Sequence, residues 1–570
     1  MVARGCRIMA MAAAAMLFAS LSALAQVPPG DLPGRERGRF EIPEGPRAQP
    51  GGSPIKLPST VAPPGADKII LVLRSVRLTG NTVYSAQDLA GLYAEFVGKT
   101  ITLAQVYDIA ARITAKYGKD GYVLSRAVVP PQELTPKGAD VTLQIVEGYI
   151  DKVEWPASLA AYRDVFSYYT QKIVADRPTN IRTLERYLLL AGDLPGLKFK
   201  NSLKASPNKT GAAILVVEVT EKPIDALGRL DNRGTRARGP NQFLGSTTFN
   251  NLLHVHESLT ISYAGAFPLQ ELQYTGFNWR QVLTGEGLSV FVNASYSWGR
   301  PGSPVDPLLD YKTKSKFIEG GVSYPFIRLR ERNLSGTALF FASNDDGSYF
   351  DLPNDAPSTK DHLRGMRVRL EGDYADELKG INQFSATLSH GISGLGSSVN
   401  GSDLHIPANG RVDFTKAELY VSRLQPLIGP LTLLTAAYGQ YTNTPLLSPE
   451  LCGYGGRNIG RAFEPSQLVG DQCLLLLGEV RADFPPLPGL QEFNLAQLYG
   501  FVDRGWLHNL APVIGTPSTL DGASVGGGIR LGWQPSSNPY GGLAADLSIA
   551  KSIDGPREDW RFYFIVTGRY

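Results

Sequence analysis

Short segments that alternate apolar and polar residues fill residues 223–570. In Leu288–Trp298 every second residue is apolar or aromatic, and most of the residues between them are Ser or Asn. Such alternation is typical of a β-strand with two unlike faces. A soluble β-sandwich buries its apolar face, whereas a transmembrane barrel turns it towards lipid. The alternation by itself leaves both folds open.

The number, length and spacing of the segments favour the barrel. About sixteen segments can be counted, and many have the ~9–11 residues of a tilted membrane-spanning strand. Short connections such as 377–379 alternate with long ones such as 344–361, and the longest covers 443–471. Short periplasmic turns and long extracellular loops have this asymmetry. We expect a 16-strand antiparallel transmembrane β-barrel over 223–570, ending at the aromatic Tyr570.

Two similar α+β modules precede the barrel. Residues 68–148 give the order strand, helix, helix, strand, strand, and residues 149–222 repeat it. The first module's strand is expected at Ile69–Leu78 and its first helix at Ala86–Val97. Its second helix, after the N-cap Thr102, carries an apolar stripe at helical spacing. The predicted fold class is therefore α+β followed by all-β.

The first 25 residues are typical of a secretory signal peptide. Arg4 and Arg7 precede an apolar run that ends in Ala23-Leu24-Ala25, which predicts cleavage between Ala25 and Gln26. The mature chain is then nearly neutral, which gives no electrostatic case for nucleic-acid binding. Cys452 and Cys473 are its two cysteines, and they flank the longest loop in a compartment that permits disulfides. We expect them to be bridged.

Residues 26–67 form a segment rich in Pro and Gly, which disfavour helix and sheet. The segment is predicted to be a linker or a plug. Its charged run, Arg35 to Arg39, is expected to be solvated, and a short plug or binding motif is the alternative.

Several motifs, taken together, resemble the two-partner secretion transporters, the TpsB family that exports haemolysins and filamentous adhesins. The modules resemble the POTRA domains of that family, and the match covers nearly the whole mature chain. The motifs are Tyr117, Gly121-Tyr122, Arg126-Ala127, Pro130-Pro131-Gln132, Val146-Glu147-Gly148, Leu184-Glu185-Arg186, Leu188-Leu189-Leu190, Leu194-Pro195-Gly196 and Asp231-Asn232-Arg233-Gly234.

Two barrel motifs carry the functional part of the resemblance. The longest loop contains Gly460-Arg461-Ala462-Phe463, which departs from the family's Val-Arg-Gly-Tyr tip but keeps the Arg. A later strand contains Phe501-Val502-Asp503-Arg504-Gly505, which fully matches the family's Phe-x-Asp-x-Gly pattern. The resemblance implies that the loop folds into the lumen and that Arg461 meets Asp503. Phe463, Phe501 and Gly505 complete the expected gate.

Other chemistry is weakly represented in the sequence. His254 and His256 have same-face spacing for a metal, but a surface turn is the stronger interpretation. We find no P-loop and no GxSxG elbow. We therefore expect a protein that is not an enzyme and has no cofactor or metal.

The combined expectation is an outer-membrane transporter in a Gram-negative cell, with POTRA domains in the periplasm. It would bind an unfolded haemolysin-like or adhesin-like exoprotein and export it through the barrel without nucleotide hydrolysis. An outer-membrane barrel assembly factor, a passive porin and an outer-membrane enzyme are the alternatives.

Overall fold

A computed structural model describes residues 27–40, 45–51 and 61–570 apart from 208, 306, 308, 309, 350–357, 487, 488, 490, 513–515, 537, 539, 540 and 556–558. At 160–163 it describes the backbone alone. The predicted signal peptide and the cleavage site at Ala25 and Gln26 lie outside the described residues.

The first module is a four-stranded sheet covered by helices. Its sheet order is β2-β1-β4-β3, and β1 and β4 run parallel. Helix α1 (Arg37–Phe40) lies before the module, in the N-terminal segment. The module's elements in chain order are β1 (Ile70–Thr79), α2 (Ala86–Ala90), β2 (Thr100–Thr102), α3 (Leu103–Lys119), β3 (Arg126–Val128) and β4 (Ala139–Val146). The predicted N-cap of α3 is present, because Thr102 and Gln105 form a reciprocal capping box.

One helix of the first module is shorter than predicted. The sequence predicts a helix over Ala86–Val97, but α2 ends at Ala90 and a 3₁₀ turn follows at Ala94–Phe96. Gly91 is the C-cap of α2, where a glycine readily ends a helix. The prediction was wrong over the second half of this segment.

The second module repeats the plan with a three-stranded sheet of order β5-β7-β6. Its elements are β5 (Tyr149–Glu154), α4 (Arg163–Ala175), α5 (Ile181–Gly192), β6 (Leu197–Ala205) and β7 (Ala212–Glu221). The family-like glycines join the two modules, since the carbonyls of Gly121 and Gly148 accept hydrogen bonds from Ile181 N (2.8 Å) and Thr179 N (3.0 Å).

Sixteen antiparallel strands close into a barrel, as the alternating pattern predicts. The last strand pairs with the first one, with Ile565 opposite Asp231 and Arg569 opposite Leu227. The fold class predicted from the sequence is confirmed. The barrel strands are β8 (Ile224–Asp231), β9 (Gln242–Asn250), β10 (Glu257–Ala266), β11 (Gln273–Val282), β12 (Ser289–Gly299), β13 (Lys312–Arg328), β14 (Arg332–Ser348), β15 (Thr359–Ala375), β16 (Ile381–Gly391), β17 (Thr415–Pro426), β18 (Leu431–Thr442), β21 (Gln472–Asp483), β22 (Leu495–His508), β23 (Thr519–Trp533), β24 (Gly542–Asp554) and β25 (Trp560–Arg569), and the loop hairpin β19 (Cys452–Tyr454) and β20 (Leu468–Gly470) lies between β18 and β21.

The two faces of the strands meet opposite environments. Along β15, Met366 and Val368 are 57% and 60% exposed on the outer face, whereas Arg367 and Arg369 line the lumen. An apolar exterior around a charged interior is the arrangement of a transmembrane barrel. Within the described part of the chain, no helix is long and apolar enough to cross a membrane.

A carboxylate on a barrel turn fixes the second module against the barrel. Glu286, between β11 and β12, accepts hydrogen bonds from Tyr168 Oη (2.7 Å), Tyr187 Oη (2.8 Å) and Arg186 Nη2 (2.8 Å). Burial would raise the pKa of Glu286, but these hydrogen bonds and the Arg186 charge lower it below its usual value. A second ion pair, Arg328 Nε to Asp193 Oδ2 at 2.7 Å, joins α5's end to β13.

A disulfide fastens the long loop to the wall. Cys452 in β19 is bonded to Cys473 in β21, with Cα atoms 6.3 Å apart and a sequence separation of 21. The disulfide predicted from the sequence is confirmed.

We predict that Glu286→Gln loosens the module–barrel joint by about 1–3 kcal/mol, because a charge-assisted hydrogen-bond centre is lost. The folded-state pKa of Glu286 is depressed, so its stabilisation is present above about pH 4.3 and declines as the pH falls through the folded-state pKa. Distances between spin labels at Lys204→Cys and Ile428→Cys should broaden in the variant at pH 7 and in the parent protein at acid pH. Glu377→Gln, on another periplasmic turn, is the matched control. An unchanged distance distribution in Glu286→Gln would refute this role.

Removal of the disulfide should destabilise the loop. Closing a loop of this length contributes roughly 3 kcal/mol in the chain-entropy model. Cys452→Ser/Cys473→Ser should therefore lower the melting temperature and increase proteolysis within 453–470. In the parent protein, mass analysis should find no alkylatable thiol before reduction, and two such thiols would contradict the bridge.

Candidate functional site

The long loop 443–471 folds back into the barrel. Its tip buries Tyr454, Ala462 and Phe463 in a cluster with Tyr499 and Phe501 of β22. Phe463 is 1% exposed and meets Tyr454 edge-on, with ring centroids 5.1 Å apart. This apolar packing gives the loop a fixed position against the wall.

Arg461 at the loop tip forms a bidentate pair with Asp503 on β22. Arg461 Nη2 lies 3.0 Å from Asp503 Oδ1, and Arg461 Nε lies 3.2 Å from Oδ2. The backbone amides of Gly460 and Arg461 donate to Oδ2 at 3.0 and 2.9 Å, and Ser524 Oγ donates at 3.1 Å. Asp503 is 0% exposed and Arg461 is 4% exposed. A buried carboxylate with this many donors is fully compensated.

A backbone requirement explains why Gly460 stands where the family motif has Val. Gly460 has φ +80°, and a Cβ there would lie 2.7 Å from Gly455 N. Glycine readily takes this left-handed conformation. The turn that results directs both the Gly460 and the Arg461 amide at Asp503.

Glu479 is a third member of the cluster, which the sequence analysis missed. Arg461 Nη1 donates to Glu479 Oε2, and Glu479 Oε1 accepts from Arg481 Nε (2.7 Å) and Arg530 Nη1 (2.9 Å). The Arg461 guanidinium also lies over the Phe501 ring, 3.5 Å from its centroid. A single Glu on an alternating strand offers no sequence signal, because most lumen faces carry charges.

Gly505 and Phe463 both contact the ring of Tyr454. A Cβ on Gly505 would lie 2.5 Å from Tyr454 Cδ2, so the glycine makes room for this ring. Tyr454 Oη donates to the Asp503 carbonyl at 3.4 Å. The structure thus brings all five gate residues predicted from the sequence to one region. Phe501 covers the guanidinium, while Phe463 supports Tyr454.

A second ionic cluster holds the stem of the loop, and the sequence analysis also missed it. Glu450 is 4% exposed, and its carboxylate lies 2.5 Å from Arg367 Nη2 and 2.8 Å from Lys416 Nζ. These partners come from β15 and β17, five and three strands away from β22, which carries Asp503. The loop is therefore held by charge at both stem and tip.

The N-terminal segment also lies inside the barrel. Val27 packs beside Ala237 near the long loops, Phe40 contacts Tyr274 at 4.9 Å between ring centroids, and Gln49 N donates to Arg330 O at a periplasmic turn. Residues 27–40 and 45–51 therefore extend through the lumen.

The charged run in this segment is buried, so the expectation of a solvated stretch was wrong. Arg35 Nη1 donates to the carbonyls of Ser448 (2.9 Å) and Leu451 (2.6 Å) in the loop stem. Glu36 is 1% exposed and accepts from Ser297. The carbonyl of the buried Asp31 accepts from Arg238 Nη2 at 2.7 Å. Barrel residues far away in sequence create this burial.

The histidine pair gives no metal site. His254 and His256 lie in the turn after β9, and His254 Nδ1 is 3.2 Å from Leu252 O. Among the described residues, no group of three or more His, Cys, Asp or Glu side chains is placed to hold a metal ion.

Two family models match this chain. Residues 71–148 match the POTRA domain, ShlB-type, and residues 361–529 match the haemolysin secretion/activation protein ShlB/FhaC/HecB. The second match contains both Arg461 and Asp503.

Similar proteins of known name are transporters. The outer membrane transporter CdiB of Dickeya dadantii (strain 3937) is 23% identical over 483 residues, which is 81% of this chain and 80% of that protein. The heme/hemopexin transporter protein HuxB of Haemophilus influenzae (strain 86-028NP) is 21% identical over 548 residues, 95% and 94% of the two chains.

A solved structure has the same fold. CdiB from Escherichia coli superposes with a TM-score of 0.66 at 17% identity, covering 94% of this chain and 96% of that one. The chain is thus similar to the ShlB-type two-partner secretion transporters in its first module and in most of its barrel, and it shares the fold of CdiB over nearly its whole length.

Proposed function

We propose that this protein exports a secreted exoprotein across the outer membrane, in the manner of its TpsB relatives. The observation that carries the proposal is a closed barrel whose lumen holds an internal loop and an N-terminal segment, with two modules fixed at its periplasmic end. A passive porin has no need of such modules. The curated relatives are named as transporters, which favours transport over the alternative of barrel assembly.

The modules are the proposed receptor. Residues 68–148 and 149–222 would act as POTRA 1 and POTRA 2 and bind the passenger while it is unfolded in the periplasm. The passenger would be haemolysin-like or adhesin-like, which is the class this family exports. Sheet-edge addition is a plausible mode, because β6 of the second module has a free edge.

Export is proposed to run without nucleotide hydrolysis, and the chain is proposed to be a transporter without enzymatic activity. Folding of the passenger outside the cell would then supply the driving force. The sequence contains no P-loop, which supports this account.

The cluster of Arg461, Phe463, Phe501, Asp503 and Gly505 is the proposed lumen gate, with Glu479 as an added partner. Its role would be to keep the loop in one position while the passenger moves past it. Residues 26–67 are proposed to include the plug, because the described parts at 27–40 and 45–51 occupy the lumen. Passage of a polypeptide would require this segment to leave, since its contacts in the lumen are non-covalent.

The gate predicts a strongly non-additive pair of mutations. Arg461→Ala leaves two buried carboxylates without their shared cation, a loss of about 3–5 kcal/mol. Asp503→Ala should cost less, because Arg461 keeps Glu479. Both should reduce passenger in the medium while the barrel still inserts. The double mutant should be little worse than Arg461→Ala, since contacting partners do not add.

The controls separate the gate from general damage. Arg504→Ala changes the next residue of β22, which points away from the lumen and pairs with Asp521 and Asp554, and it should secrete normally. Arg461→Lys should remain defective, because an ammonium cannot form the bidentate contact. Simple addition of the two single defects, or normal secretion by Arg461→Ala, would contradict the gate.

Deletion of residues 68–222 should abolish secretion and leave insertion of the barrel intact. Recognition lies in the modules, whereas the strands and the aromatic end belong to the barrel. Passenger in the medium and heat-modifiable barrel in the membrane are the two readouts. Undiminished secretion by the deletion variant would show that the modules are not the receptor.

A further inference from the structure

A large cavity occupies the lower lumen and opens towards the second module. Its volume is about 1760 Å³, and its lining extends from Leu190 and Asp193 of that module to Arg461 at the loop tip. We call this space the vestibule. Anything that enters the barrel from the periplasm passes through it.

The vestibule carries a large positive charge. Its lining includes sixteen cationic side chains, fifteen of them Arg, against nine carboxylates, a net charge of +7. Four of these Arg belong to the N-terminal segment, and without them the lining still has twelve cations against nine carboxylates, a net charge of +3. The whole sequence has 56 Lys and Arg against 53 Asp and Glu, so the excess is a property of this surface and not of the composition. The two charges of an ion pair cancel each other at a distance. The charges that are not balanced in this way add up to a positive electrostatic potential in the vestibule.

The charge is unevenly spread around the wall. On β13 to β17 the charges of the lining balance. Four carboxylates, those of Glu319, Glu371, Asp373 and Glu418, stand against four cations, those of Arg328, Arg367, Arg369 and Lys416. The Arg-rich N-terminal segment contacts this side, where Arg47 N donates to Asp373 Oδ2 at 3.1 Å and Arg37 lies over Phe317. It also contacts the opposite side, where Phe40 packs against Tyr274 of β11. This part of the wall therefore adds no net charge to the vestibule.

The opposite wall is basic. From β21 through the closing seam to β11 its lining includes Arg481, Arg530, Arg569, Arg229 and Arg280, with fewer carboxylates. The approach to it is basic too, because β6 of the second module carries Lys198, Lys200 and Lys204 and begins beside the barrel, where Gly196 adjoins Asn250.

A cleft of one sign with low-dielectric walls concentrates ions of the opposite sign. Guanidinium groups also bind carboxylates in a fixed bidentate geometry. An extended polypeptide presents its side chains one after another to such a wall. We propose that the vestibule binds acidic, extended polypeptide, so that the passenger segment entering the barrel is rich in Asp and Glu. The identity of this partner rests on the proposed transport function, whereas the potential itself does not.

The electrostatic potential of the vestibule can be measured with charged thiol reagents on the purified chain in detergent, with Cys6 replaced by Ser. Cys452 and Cys473 are bridged, so a single introduced thiol then reports alone. Asn278→Cys faces the vestibule on the basic wall, and Ser262→Cys on β10 gives a second position there. Val399→Cys, 78% exposed in a long loop, is the reference.

The anionic sulfonatoethyl methanethiosulfonate should be favoured over the cationic trimethylammonium reagent about tenfold at Asn278→Cys, relative to Val399→Cys. The preference should collapse in 1 M KCl, where the Debye length is about 3 Å. Arg280→Gln should reduce it, and Arg126→Gln on the first module should not. Equal or cation-favouring rates at both vestibule positions would overturn the inference.

The same variants test which kind of polypeptide the vestibule binds. Poly-L-glutamate should slow modification of Asn278→Cys, and poly-L-lysine of equal length should not. Protection by poly-L-lysine, or by neither polymer, would overturn the acidic-partner assignment. These modification rates do not depend on secretion. Loss of secretion with the preference for the anionic reagent intact would refute the transport proposal. Secretion without that preference would refute this inference alone.

Discussion

The burial of the Arg461 guanidinium is the constraint on which the lumen depends. A charge at 4% exposure inside a protein is tolerated only with partners for most of its donors. The tip must therefore reach both Asp503 and Glu479, which lie on neighbouring strands β22 and β21. That requirement fixes how deep the loop enters, which side of the barrel it touches and how tightly it turns at Gly460.

The rest of the interior is arranged around this fixed loop. The disulfide holds the stem to β21, the Glu450 cluster holds it to β15 and β17, and the stem's carbonyls in turn bind Arg35 of the N-terminal segment. The loop has a disulfide and an ionic cluster at its stem and a second ionic cluster at its tip, whereas the described parts of the segment, 27–40 and 45–51, are held by hydrogen bonds, ion pairs and packing. The segment is therefore the component that can leave the lumen at lower cost.

Much of this was accessible from the sequence. Period-2 alternation predicts the sixteen strands because lipid and water impose opposite faces, and the apolar stripe after Thr102 predicts α3. The gate pair came from motif resemblance, and Cys452–Cys473 from their position. The buried N-terminal run was not predictable, because residues such as Ser297 and Ser448 that bury it become neighbours only when the barrel closes. Glu479 and Glu450 were missed for a related reason: their partners are set by strand register and loop path.

The central claim is that a passenger crosses through this lumen rather than along the barrel exterior. Photo-crosslinking in cells that are actively secreting tests it most directly, with the photoreactive residue at Ser262, which lines the vestibule, or at the adjacent Ile261, which is 52% exposed on the outer face. The account predicts passenger adducts at Ser262 and none at Ile261. Adducts at Ile261 alone, or secretion with no adduct at Ser262, would contradict it.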